Sequence, residues 1–159
     1  SGCLAAYIDE LGDADLPLRE TCGELSRPGK PSRLLNQTAI FIDMHKNLDE
    51  DTHVGEPRQW EAALERLRGL ATRIPAELSA LASDEMSHTL DVATFAAERG
   101  SLRRRPGGLN PADRSRLAGK LRAIMDEHAR LWRIRSREGG LSQSTAFYQQ
   151  ILDRFEGKV

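Results

Sequence analysis

The sequence predicts an all-α fold of about seven helices, and three observations predict it. Ala, Leu, Arg and Glu dominate while aromatic residues make up only 5% of the chain, so the β-branched and aromatic runs that suit pleated strands are nearly absent. Helix punctuation recurs along the length, at Gly12, Pro28-Gly29, Gly107-Gly108, Asn110-Pro111 and Gly139-Gly140. Between these marks the apolar residues repeat at intervals of three and four, the period of one helix face.

Residues 3–11 read as a first helix ending at Gly12, and residues 16–26 as a second, with Pro17 in the first turn where its missing N–H costs nothing. After a loop at 28–31, Ser32 caps a third helix to about His45, with Leu34, Leu35, Ile40, Phe41 and Met44 for burial. Residues 47–57 are polar and turn-rich. They form a linker between an N-terminal helical subregion, 1–46, and a helical bundle, 58–159, within one compact domain.

Trp60, Leu64, Leu67, Ala71 and Ile74 make the next apolar stripe, and Pro75 either kinks that helix or starts another. Ser83 precedes a further start or a continuation that carries Leu90, Ala93 and Ala97 to Arg99 or beyond, and residues 103–108 break it. Asn110 as cap and Pro111 at the first helical position open the longest helix, to about Arg135. Its stripe is Leu117, Leu121, Ile124, His128 and Leu131, flanked by Met125 and Trp132. Ser142 or Ser144 caps a final helix with Phe147, Tyr148, Ile151, Leu152 and Phe155 on one side. Residues 58–155 thus suit a three- or four-helix antiparallel bundle.

A chain of 159 residues buries a core without disulfides or metals. Its net charge of −1 hides an asymmetry: residues 1–53 hold five Lys/Arg against ten Asp/Glu, and the remainder 18 against 14. An acidic third packed beside a basic remainder accounts for this, and no nucleic-acid partner is expected. No apolar run approaches the ~18–20 residues that span a bilayer, so no membrane partner is expected either. Cys3 and Cys22 lack metal-ligand spacing and read as reduced thiols of a cytoplasmic protein, a disulfide between the first two helices being the alternative. If Ser1-Gly2 is a cloning remnant, the natural chain extends further at its N-terminus.

Candidate chemistry is sparse. Glu85 and His88 have the Glu-x-x-His spacing of di-iron bundles, which need a second such pair and two more glutamates. Asp126, Glu127 and His128 are adjacent and point in different directions, so no metal is expected. His128 reads as a core histidine bonded to a carbonyl or a neighbouring acid rather than a catalytic base. His45 and His53 have no third ligand at usable spacing, and Asn36-Gln-Thr38 is a chance sequon within a helix. No nucleophile elbow is present, and Gly107-Gly108 and Gly139-Gly140 lack the lysine and strand of a phosphate loop. Hence neither a catalytic residue nor a cofactor is expected. Arg103, Arg104 and Arg105 complement a helix C-terminus.

The most telling segment is Leu131 to Ser144, where the longest helix passes a Trp and three arginines and stops at a Gly pair. Gly139 would supply the positive-φ stop and Gly140 a close backbone approach. Trp132, Arg135, Arg137, Gly139, Gly140, Leu141 and Ser144, together with Leu4 to Gly12 and Leu35 to Phe41, resemble the C-terminal helical region of β-N-acetylhexosaminidase-like glycoside hydrolases. Ser136 departs from that pattern, which favours Asn. The resemblance implies a parent enzyme in which an Asp-Glu pair on a (β/α)8 barrel assists the substrate's own acetamido group. An all-helical chain has no room for that barrel, so no catalytic carboxylate carries over.

What the resemblance implies here is a non-catalytic accessory domain that supports the catalytic barrel of its parent chain or a homodimer. Trp132, Arg135, Arg137, Gly139, Gly140 and Leu141 are its candidate docking surface, Trp and Arg being the types that dominate interface centres. Against this stands a plainer reading in which Trp132 anchors the domain's own core and the arginines are solvated. The alternative function is a free-standing helical interaction module.

Overall fold

The computed structural model describes residues 2–19, 44, 56–136 and 138–158. The described residues form helices and turns with no strand among them, as the composition requires. In chain order the helices are α1 (Gly2–Gly12), α2 (Leu16–Arg19), α3 (Pro57–Ala71), α4 (Ala80–Arg103), α5 (Pro111–Arg135) and α6 (Leu141–Phe155). α2 is a single turn, so five described helices of substantial length stand against the seven or so expected. The rest of the expected second helix, the third (32–45) and most of the 47–57 linker lie outside the described residues. Met44 alone of that stretch is described, helical and buried.

The start of α5 follows its sequence signal: Asn110 Oδ1 accepts from Asp113 N at 2.8 Å, with Pro111 at the first position. Two other starts differ. α4 is capped by Ser79, whose Oγ accepts from Ala82 N, rather than by Ser83. Ser83 N already donates to Ser79 O at 2.8 Å, one turn inside the helix. Pro75 therefore neither kinks nor starts a helix; it is buried in the connection after α3 ends at Ala71. The cap of α6 is Gly140, at φ 95, and not Ser142 or Ser144. Ser144 N donates to Gly140 O, which places both serines within the helix.

α3 buries Trp60, Ala63, Leu64, Leu67 and Leu70. The expected stripe holds as far as Leu67 and then shifts. Leu70 is buried and Ala71 exposed, because α1 covers that end of α3 from the Leu70 side. Tyr7 Oη donates to Leu70 O at 3.0 Å, and Glu10 pairs with Arg73 at 2.6 Å.

α4 is the central helix. Residues from Phe95 to Leu102 are all buried, so its C-terminal half is enclosed on every side. Small residues there, Ala96, Ala97, Gly100 and Ser101, let neighbours approach. Trp60, at the start of α3, lies on Gly100 near the end of α4, which makes that pair antiparallel. The guanidinium of Arg104 lies over the indole at 4.2 Å and donates to Gly100 O at 2.7 Å. Asp84 and Glu85 near the start of α4 meet Arg130 and Arg135 near the end of α5, so that pair is antiparallel too. α6 returns along α5, joined by His128 to Ser144 and Arg122 to Glu156, and reaches α4 through an edge-on contact of Phe155 with Phe95. One core cluster runs from Tyr7 to Leu152.

Candidate functional site

The last turn of α5 carries Trp132, Arg133, Ile134 and Arg135. Ser136 ends it in an extended conformation, its N–H donating to Trp132 O at 2.7 Å. The chain then turns back, and Gly140 at φ 95 leads into α6. A Cβ on Gly140 would lie 3.3 Å from Cζ2 of Trp132, while at Gly139 it would meet nothing. The sequence divided the two glycine tasks between neighbours. The stop of α5 falls to neither, since Ser136 ends that helix without a positive φ; the left-handed conformation and the close approach both fall at Gly140, which opens α6. Gly140→Ala is expected to cost about 1 kcal/mol through left-handed strain, and Gly139→Ala far less. Equal shifts of the two urea midpoints would contradict that division of labour.

Trp132 is half-buried against this turn. The arginines around it have partners within the chain. Arg133 Nε donates to Glu138 at 3.0 Å, and Arg135 grips Glu85 through two bonds of 2.6 and 2.9 Å. Arg130 bridges Asp84 at 2.6 Å and Glu127 at 2.6 Å. The hydrogen bonds from Arg135 hold the Glu85 carboxyl below its usual range. Glu85 is therefore tied to α5 and does not join His88. Ile134, next to Arg133 and Arg135 in sequence, is 53% exposed. Of the remaining candidate residues, Leu141 is half-buried and Arg137 lies outside the described residues.

Beneath the corner lies His128. Its ring is 5.9 Å from Trp132, 5.9 Å from Tyr148 and 5.6 Å from His88 of α4. Its Nε2 is 2.9 Å from Ser144 Oγ, which itself donates to Leu141 O at 2.9 Å. A hydroxyl has one proton to give, so here the imidazole donates and the serine oxygen accepts. That assignment opposes a nucleophilic serine, whose proton would have to face the imidazole. It also replaces the carbonyl or acid expected as the partner of His128. Sequence reading missed His88 as a neighbour of His128, since only antiparallel packing of α4 on α5 joins residues 40 positions apart.

Burial lowers the pKa of both histidines, and that of His88 is lowered further by His128, while Glu127 and Asp91 oppose the shift. The phenol of Tyr148 is pushed up to about 12 by burial. His88 Nδ1 is buried and has no hydrogen-bond partner among the described residues.

A groove of about 300 Å³ runs between α4 and α5, with Phe95 and Ile124 as its apolar part and Asp91, Glu98, Lys120 and Glu127 as its polar part. Most of this charge is already paired: Glu98 with Lys120 and Arg116, Glu127 with Arg130. Among the described residues no three His, Cys, Asp or Glu side chains converge as a metal site. No described helix is long and apolar enough to cross a membrane. Cys3 is an exposed free thiol, and Cys22 lies outside the described residues.

No family model, curated protein or solved structure matches this chain. The α5–α6 corner must therefore be read from its own geometry. It combines a left-handed glycine under an indole, an exposed apolar side chain and neighbouring ion pairs.

Proposed function

We propose that the chain is a non-catalytic helical docking domain and that the α5–α6 corner is its contact surface. The observation that carries this reading is Ile134, a large apolar side chain 53% exposed and next in sequence to Arg133 and Arg135, which pair with Glu138 and Glu85. An apolar centre with a charged border is the anatomy of an interface. Trp132 serves as its base rather than its tip, since it is packed on Gly140 and His128. In this reading α3 to α6 form a four-helix antiparallel bundle, and α1 with α2 the smaller N-terminal subregion.

The partner proposed is the catalytic barrel of a β-N-acetylhexosaminidase-like glycoside hydrolase, on the strength of the resemblance at Trp132, Arg135, Gly140 and Leu141. Dimerisation is a second role for the same surface, and a cytoplasmic location goes with the free thiol of Cys3. The purified chain is mixed with such a barrel stripped of its own C-terminal helical region, and the barrel's thermal midpoint is followed. Native chain is expected to raise it, and Ile134→Asp to abolish the rise while retaining the helical circular dichroism of the native protein. No rise with native chain overturns the barrel as partner. Turnover of an aryl N-acetylglucosaminide by the chain alone overturns the non-catalytic assignment.

A further inference from the structure

We infer that the His88–His128 pair is a pH-sensitive latch at the junction of α4, α5 and α6: protonation of His88 drives its ring off His128 and onto the Asp91 carboxylate of its own helix. This stands whether or not the corner above it docks a partner. The two imidazoles lie 5.6 Å apart, tilted by 44°, with His128 in turn against Trp132 and Tyr148.

The two rings respond differently to a proton. His128 already donates through Nε2 to Ser144 Oγ, so its charged form keeps that bond. His88 has a buried Nδ1 without a partner among the described residues. In the neutral ring that atom can be the lone-pair nitrogen; in the charged ring it becomes an N–H with no acceptor, the costlier state. A second positive charge beside His128 adds repulsion when both rings titrate. His88 is therefore the member that moves.

The surrounding charges set its destination. Asp91 lies three residues along α4, on the same helix face. From α5 come His128 and Glu127, the latter held by Arg130. One turn before His88, Asp84 and Glu85 are occupied by Arg130 and Arg135. From α6 the titratable neighbour of His128 is Tyr148, a phenol that stays neutral at acidic pH. Asp91 is exposed at the surface and is the carboxylate left for His88: burial raises its pKa, and the charge of His88 opposes that rise. The native state disfavours imidazolium in both rings. The stability they contribute is thus whole above the ordinary histidine value of about 6.5 and declines as pH falls from there through their folded values.

The test is a histidine NMR titration of the whole chain from pH 8 to 4.5, following ring resonances and the cross-relaxation between the two rings. His88 is expected to titrate below the ordinary value and to lose its cross-peaks with His128 in the same step, with far-ultraviolet dichroism unchanged. Asp91→Asn is expected to lower the titration of His88 further, and His128→Gln to raise it. Cross-peaks that persist through the titration of His88 overturn the latch, as does an Asp91→Asn chain in which His88 titrates unchanged.

Discussion

Gly100→Ala is expected to destabilise the fold by about 2 kcal/mol, although alanine is the better helix former by nearly 1 kcal/mol. A Cβ built on Gly100 falls 2.8 Å from Cδ2 of Trp60 and nearer still to Cε3 and Cζ3. Trp60 is fully buried and carries the Arg104 guanidinium on its ring, so the indole cannot shift without displacing core neighbours. Overpacking of this kind costs roughly 1–3 kcal/mol and here outweighs the propensity gain. Gly119 is the control: it sits mid-helix on α5, exposed, with open space where a methyl would go. Gly119→Ala is expected to stabilise by about 0.5–1 kcal/mol. Urea unfolding of both variants at neutral pH decides the matter, because opposite signs at two helical glycines have no propensity explanation. A Trp60→Leu background is expected to remove most of the Gly100→Ala penalty, since the clash partner is then gone. A neutral or stabilising Gly100→Ala would show that α3 and α4 do not meet at this point.

Local cues explain what the sequence revealed of this arrangement. Asn110-Pro111 and Gly12 act within a few residues of themselves, and both mark helix ends where expected. Ser79 and Ser83 are both serines before an apolar run, so local sequence does not separate them, and the chain's path after Ala71 makes Ser79 the cap. The enclosure of α4 was illegible for a different reason. Residues 95–102 include Glu98 and Arg99, and a segment with adjacent opposite charges reads as half-exposed. Its burial depends on Arg116 and Lys120, which α5 delivers from about twenty positions away. The same holds at the candidate site. Trp132, Gly140 and Leu141 announce a shaped helix end by themselves, whereas His88 meets His128, and Arg135 meets Glu85, through tertiary packing alone.

Glu98 follows from that hidden burial. Its side chain is 11% exposed and accepts from Lys120 at 2.6 Å and from Arg116, while those two cations are 45% and 43% exposed. Removing one member of a fully buried pair costs about 3–5 kcal/mol; here the cations left behind can reach water, which reduces the expected cost of Glu98→Ala to about 2 kcal/mol. Arg116→Ala is expected to cost less, because Glu98 then keeps Lys120. Burial by itself would raise the Glu98 carboxyl, but the hydrogen bonds from Lys120 and Arg116, with their charges, together outweigh it and hold its pKa below the usual value. A lowered folded pKa means that the unfolded chain takes up this proton first as pH falls. The contribution of Glu98 is therefore whole above the ordinary glutamate value of about 4.3 and is lost as pH falls through the folded one. Wild type and Glu98→Gln, compared by urea midpoint from pH 7 to pH 3, are expected to converge in that acid range. A gap that stays constant to pH 3 would mean that Glu98 acts through packing, with its charge contributing nothing.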